Sequence, residues 1–294
     1  MAHMPVFDQT IFAAVNEAEK KIERKLECDL VFFYGEIRAA RIAQYRALIE
    51  ELARTPTKKD TLAICLTTPG GEAEVVEKLV EITRHHYPKE VDFIIPSAAF
   101  SAGTIFCMSG DRIFMDYSSS LGPIDPQVPD REDKYLVPAL GYLDKVEELI
   151  QKSIDKKISP GELAILVKQD LAMLRFYEQA RDLSVALIKK WLVQYKFKNW
   201  KTHRTNRPGA EVTEEQKEAR AKDIADKLSD NKIWYSHGRM IGMNTLKSVL
   251  RLDIDDFGPD KELGPSVRLY SDTLSEYLKR HGLEFFLYNR RVES

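Results

Sequence analysis

Three cysteines in 294 residues, no surplus of either charge and no long apolar run: the chain is bounded first by what it has little of. Nothing in it approaches the roughly 18 uninterrupted apolar residues of a membrane helix, which argues against a transmembrane segment. The N-terminus lacks a basic start followed by an apolar core, so a secretory signal is not expected, and Met1-Ala2-His3-Met4 reads as a cloning-vector leftover. An odd cysteine count does not suit a disulfide framework. Cys65 and Cys107 sit inside apolar runs and read as small buried hydrophobes of a reducing compartment, hence a cytoplasmic protein. A formal net charge of -2 gives no reason to expect nucleic acid as the main partner.

Cofactor motifs are missing as well. There is no phosphate loop, no dinucleotide fingerprint and no His/Cys spacing of a zinc site, so neither cofactor nor metal is expected. The acidic "DIDDFG" (253–258) begins like a calcium loop, but Phe257 takes a ligand position and Gly264 stands where the closing Glu belongs. A basic loop (Lys196, Lys198, Lys201, His203, Arg204, Arg207) reads as a solvated linker, since no aromatic platform flanks it.

What is there is an alternation. Residues 8–27 and 38–54 have helical apolar spacing, and "LVFFYGEI" (30–37) between them is β-rich. "TLAICLTT" (61–68), "VDFIIP" (91–96) and "RIFM" (112–115) are short apolar runs, as in strands buried on both faces. A helix over 72–87 separates the first two. This predicts an α/β core on a mixed or parallel sheet over residues 5–140. Residues 141–230 read as a helical arm region packing on that core, and 231–294 as its C-terminal completion. The 163–195 stretch is more apolar than one core face needs, which predicts a homo-oligomer.

Two glycine-bearing turns carry the chemistry. Thr67-Thr68-Pro69-Gly70-Gly71 ends a strand, and so does Phe100-Ser101-Ala102-Gly103-Thr104; each opens a helix. Small residues leave backbone N–H groups uncovered. A serine at such a turn points its oxygen out of the sheet edge. Acyl transfer needs that combination: a nucleophile for the carbonyl, and two N–H donors for the oxyanion, each worth about 3 kcal/mol. Gly71 and Ala102 are the candidate donors.

The strings "TTPGGEAEVVEKLVEIT", "SAAFSAGTIFCMSGDRIFMDYSSSLGPIDPQ" and "WYSHGRMI" resemble the serine dehydrogenase proteinase family, related to signal peptide peptidase A within the Clp protease/crotonase superfamily. The resemblance is strongest over roughly 60–130. It implies a ββα spiral, Ser101 as nucleophile, Gly71 with Ala102 as oxyanion hole, and peptide-bond hydrolysis by an oligomer.

A serine hydroxyl also needs a proton acceptor. In the Clp subunit a histidine lies in the strand region after the nucleophile helix; here that stretch is Leu121 to Gln127, whose one ionisable group is Asp125. Signal peptide peptidases use lysine. For that solution Lys168 fits best, with Lys134 and Lys152 behind it, provided that burial lowers its pKa. His237 in "YSHGRMIG" is the other candidate. His85-His86 suits a helix end better than a metal. The expectation is a serine peptidase acting on peptide or protein substrates. An inactive oligomeric scaffold on the same fold and crotonase-like acyl-CoA chemistry are the alternatives.

Overall fold

A computed structural model describes residues 5–129, 136–203 and 208–292. Lys134, Arg204, Arg207 and Met1–Met4 lie outside them. The chain opens with α1 (Val6–Leu26), β1 (Cys28–Tyr34), α2 (Ile42–Arg54), β2 (Thr61–Thr67), α3 (Ala73–His86), β3 (Glu90–Ile94), β4 (Ala98–Ala99), α4 (Ala102–Cys107), β5 (Arg112–Met115) and β6 (Ser120–Leu121). A hairpin of β7 (Gln127–Pro129) and β8 (Leu136–Pro138) leads into α5 (Ala139–Ile154), α6 (Pro160–Leu166) and α7 (Leu171–Trp191). Then come α8 (Glu214–Ser229), α9 (Asn231–Trp234), β9 (Ile241–Gly242), α10 (Met243–Ser248), β10 (Asp255–Asp256), α11 (Leu263–His281) and β11 (Phe286–Tyr288).

Six strands form the main sheet in the order β10-β5-β3-β2-β1-β11. All neighbours run parallel except β11, which returns antiparallel to β1. Both faces are covered, which is why the strands read as unbroken apolar runs. On β1, Val31 and Phe33 face one core with α2, α3, α4 and the C-terminal half of α7. Leu30 and Phe32 face the other, filled by α1 and α11.

A second, small sheet stands beside the C-terminal ends of these strands. Its order is β4-β6-β9, with Ala98 opposite Ser120 and Ser120 opposite Gly242. Single bridges extend the pattern, joining Ile37 to Gly71 and Thr68 to Ala99. The same unit therefore recurs: a strand in the main sheet, a short β segment in the small one, then a helix. That recurrence is the ββα spiral of ClpP-like proteins, and the fold is mixed α/β as the sequence implied.

The long helical stretch also forms, broken at Ser159, whose side chain and Glu162 make a reciprocal cap at the start of α6. Leu187, Ile188 and Trp191 of α7, and Ile224 and Leu228 of α8, are buried in the same core as α3 and α4. Among the described residues no helix is long and apolar enough to cross a membrane.

Candidate active site

The two glycine turns touch. Thr68 N–H donates to the Ala98 carbonyl (3.0 Å) and Phe100 N–H to the Thr68 carbonyl (3.1 Å), so the Pro-Gly-Gly bend is laced along the strand that ends at Ser101. Gly70 has φ +111, and a methyl group there would stand 2.9 Å from the Phe100 oxygen and from Ser101 Cβ. Gly71 has φ +141, and its added methyl would lie 2.1 Å from the Ile37 oxygen. Only glycine meets both demands, of conformation and of space. Ile37 N–H donates to the Gly70 carbonyl and Glu72 N–H to the Ile37 carbonyl. The Gly71 N–H is bypassed and has no partner among the described residues.

Ser101 sits where β4 gives way to α4, with φ 52 and ψ -116, a conformation side-chain-bearing residues rarely adopt. It is half-buried, and its hydroxyl makes no hydrogen bond among the described residues. Ala102, the first residue of α4, has an N–H that no turn of the helix can use. Thr104, fully buried, locks α4 to β6: its hydroxyl lies 2.9 Å from both the Ala99 and Gly122 carbonyls and accepts from Gly122 N–H at 3.0 Å.

From β6 the chain runs on through Gly122 to Asp125, while β9 approaches from the opposite direction. Ser120 faces Gly242 and Leu121 faces Ile241; continuing that register sets residue 125 opposite residue 237. The side chains meet: His237 Nδ1 is 2.8 Å from Asp125 Oδ1. Asp125 is 1% exposed and His237 25%. The second carboxylate oxygen of Asp125 accepts from Gln127 Nε2 at 2.9 Å. A carboxylate offers only lone pairs, so the proton in the Asp125–His237 bond is on Nδ1, which makes Nε2 the acceptor in the neutral form of the ring. A cavity of about 840 Å3 opens beside this pair, between α5 and the 231–237 segment, with Gly141, Asp144 and Tyr235 in its wall.

Of the residues singled out in the sequence, Gly71, Ser101 and Ala102 belong to the two turns that touch, and His237 lies in the turn that precedes β9, against Asp125. No hydrogen bond links Ser101 to His237 among the described residues. Lys168 lies in the turn after α6, exposed to solvent and without the burial a neutral lysine needs. Lys152 is paired with Glu162 (2.7 Å) and Glu148 (3.0 Å), and hydrogen bonds to these two carboxylates raise its pKa, the wrong direction for a base.

The ammonium that burial does push down is that of Lys196. The charges acting on it are Asp253, Asp255, Asp92 and Asp111, around the ends where β3 and β5 begin, whereas Ser101 follows the ends where strands finish. His85 and His86 close α3, and burial lowers the pKa of His86. All three cysteines are buried, and desolvation raises each thiol. The Asp125–His237 pairing was the part that sequence reasoning did not assemble.

A spiral of ββα units that presents a serine at a strand-to-helix turn, beside a Pro-Gly-Gly bend, defines a ClpP-like α/β protein. The chain belongs to the ClpP-like SDH-type serine proteinases, whose family model matches residues 38–203. Two uncharacterised proteins of Methanocaldococcus jannaschii are similar: one is 29% identical over 147 residues, 48% of this chain and 51% of its own length. The other is 35% identical over 65 residues, 22% of each chain. The chain thus spans about half the length of the first and about a fifth of the second. Among solved structures, two variants of the membrane-bound stomatin-specific protease 1510-N align with TM-scores of 0.46 and 0.45. Their identities are 13% and 16%; the alignments cover 81% and 80% of this chain and 82% and 76% of theirs.

Proposed function

We propose that this chain is a serine peptidase in which Ser101 attacks a peptide carbonyl and His237 removes its proton through Nε2. Asp125 holds the imidazole in the required tautomer and stabilises the imidazolium that forms. The N–H groups of Gly71 and Ala102 receive the oxyanion of the tetrahedral intermediate. His237 then returns the proton to the leaving amine, and water repeats the sequence on the acyl-enzyme.

The observation that carries this reading is the 2.8 Å Asp125–His237 bond, which engages Nδ1 and leaves Nε2 without a partner among the described residues, in the turn before β9 of the small sheet whose β4 leads to Ser101. The missing Ser101–His237 bond is the feature that favours the rival reading, a silent scaffold. In enzymes without substrate such bonds are commonly long and tighten on binding. Buried thiols support a reducing, cytoplasmic setting. Exposed Ile165, Val167, Leu171 and Phe176 on the α6–α7 arm support self-association.

A fluorophosphonate probe decides between enzyme and scaffold. Labelling of the wild type, abolished in Ser101→Ala and strongly slowed in His237→Ala, is the expected result. Equal labelling of wild type and Ser101→Ala overturns the proposal.

A further inference from the structure

The cavity beside His237 has a wall of unusual composition. The charged side chains in it are already matched within the protein: Asp125 with His237 at 2.8 Å, Lys232 with Asp144 at 3.1 Å, Lys145 with Glu148 at 2.9 Å. A ligand side chain bearing a charge finds no unpaired counter-charge among these lining residues. Tyr235 supplies the one large ring in the wall besides the imidazole.

Tyr235 is also held there against its own preference. It follows α9 with φ 62 and ψ -12, its N–H bonded to the Asn231 carbonyl at 2.7 Å. Glycine or asparagine normally takes that left-handed capping position; a bulky residue there costs on the order of 1 kcal/mol. The preceding Trp234 is buried, and its indole N–H donates to the Lys227 carbonyl. The positive φ therefore turns the chain so that Trp234 goes inward and Tyr235 outward, two residues before His237. Tyr235 is 88% exposed, and its side chain has neither a ring contact nor a hydrogen bond among the described residues. Met240, 68% exposed, stands on the far side of His237 in sequence.

Building on the peptidase reading above, we propose that Tyr235 is the specificity-determining residue of this site. Its ring is a platform for a neutral, apolar side chain of the substrate, aromatic or long aliphatic, seated beside the imidazole. A free aromatic face with two rotatable bonds gives contact area at small entropic cost, and matched charges around it leave apolar contact as the discriminating interaction.

The test uses wild type, Tyr235→Gly and Tyr235→Phe with a peptide series that varies one position among Phe, Leu, Gly, Asp and Lys. Expected are preferential cleavage of the Phe and Leu peptides by wild type and by Tyr235→Phe, and about a tenfold loss of kcat/KM on those peptides, mainly in KM, for Tyr235→Gly. Thermal unfolding of Tyr235→Gly is expected to shift upward as the left-handed strain is relieved, which separates lost contact from lost folding. Fluorophosphonate labelling of Ser101 reports the nucleophile rather than the groove and is expected to persist. Persisting labelling with an unchanged peptide preference in Tyr235→Gly overturns the role of Tyr235 alone. No labelling of the wild type overturns the peptidase reading and this inference with it.

Discussion

Asp125 and His237 are 112 residues apart in the chain and 2.8 Å apart in space, a buried carboxylate against a quarter-exposed imidazole. The bond fixes one tautomer. In Asp125→Asn the amide can turn its N–H toward Nδ1 and move the imidazole proton to the side that must accept. The expected result is a fall in peptide-cleavage kcat of roughly 10³–10⁴-fold. Unchanged circular dichroism would show that the loss is chemical. Activity within threefold of wild type would remove Asp125 from the mechanism.

Ser101 has a backbone that suits glycine better than serine, at φ 52. Ser101→Ala and Ser101→Gly should both abolish probe labelling, yet differ in stability. Alanine keeps the Cβ and its strain, while glycine releases it, so Ser101→Gly is expected to be the more stable of the two by about 1 kcal/mol. Chemical denaturation of the pair measures the difference; equal midpoints would mean that the turn stores no strain.

Gly71 admits no side chain: an added methyl group lies 2.1 Å from the Ile37 oxygen, and φ +141 is unfavourable for alanine in any case. Gly71→Ala is expected to push the bend off Ile37, cost more than about 1 kcal/mol and slow labelling of Ser101 through loss of the aligned N–H. Wild-type stability together with wild-type labelling would contradict the close approach.

Glu19 is fully buried beneath α11, accepting from Tyr270 Oη (3.2 Å), Asn289 Nδ2 (3.1 Å) and Arg290 N–H (3.0 Å). Desolvation outweighs these donors and pushes its pKa from 4.5 up to about 8. The proton is bound more tightly in the folded state. The stabilisation is therefore complete below pH 4.5 and is lost as pH rises through about 8. Asp92, raised by burial to about 7, acts in the same direction. Glu19→Gln should flatten the decline of Tm between pH 5 and 8.5, gaining roughly 2–4 °C at the alkaline end per kcal/mol recovered. A slope equal to wild type would show Glu19 to be ionised throughout.

Legibility in the sequence followed the length of each element. β2, β3 and β5 declared themselves because burial on both faces leaves an unbroken apolar run, as in Leu62 to Leu66. β4, β6 and β9 have two residues each, too few for any period, and exist only through their pairing. Ser101, Gly71 and Ala102 could be found because small residues beside a hydroxyl at strand ends form a local pattern. His237 stood among the candidates, but its pairing with Asp125 could not be read, since the two share no local spacing and the family match ends at 203, before His237. In α11, Leu263, Val267, Tyr270, Leu274 and Leu278 have helical spacing, masked at the start by Gly264-Pro265.

The small sheet takes its third strand from far down the chain, and that has a consequence for synthesis. Under the proposed chemistry, a polypeptide emerging from the ribosome exposes Ser101 and Asp125 well before the imidazole has been translated. Newly made copies thus lack their proton acceptor until His237, 112 residues beyond Asp125, has been added and β9 docks.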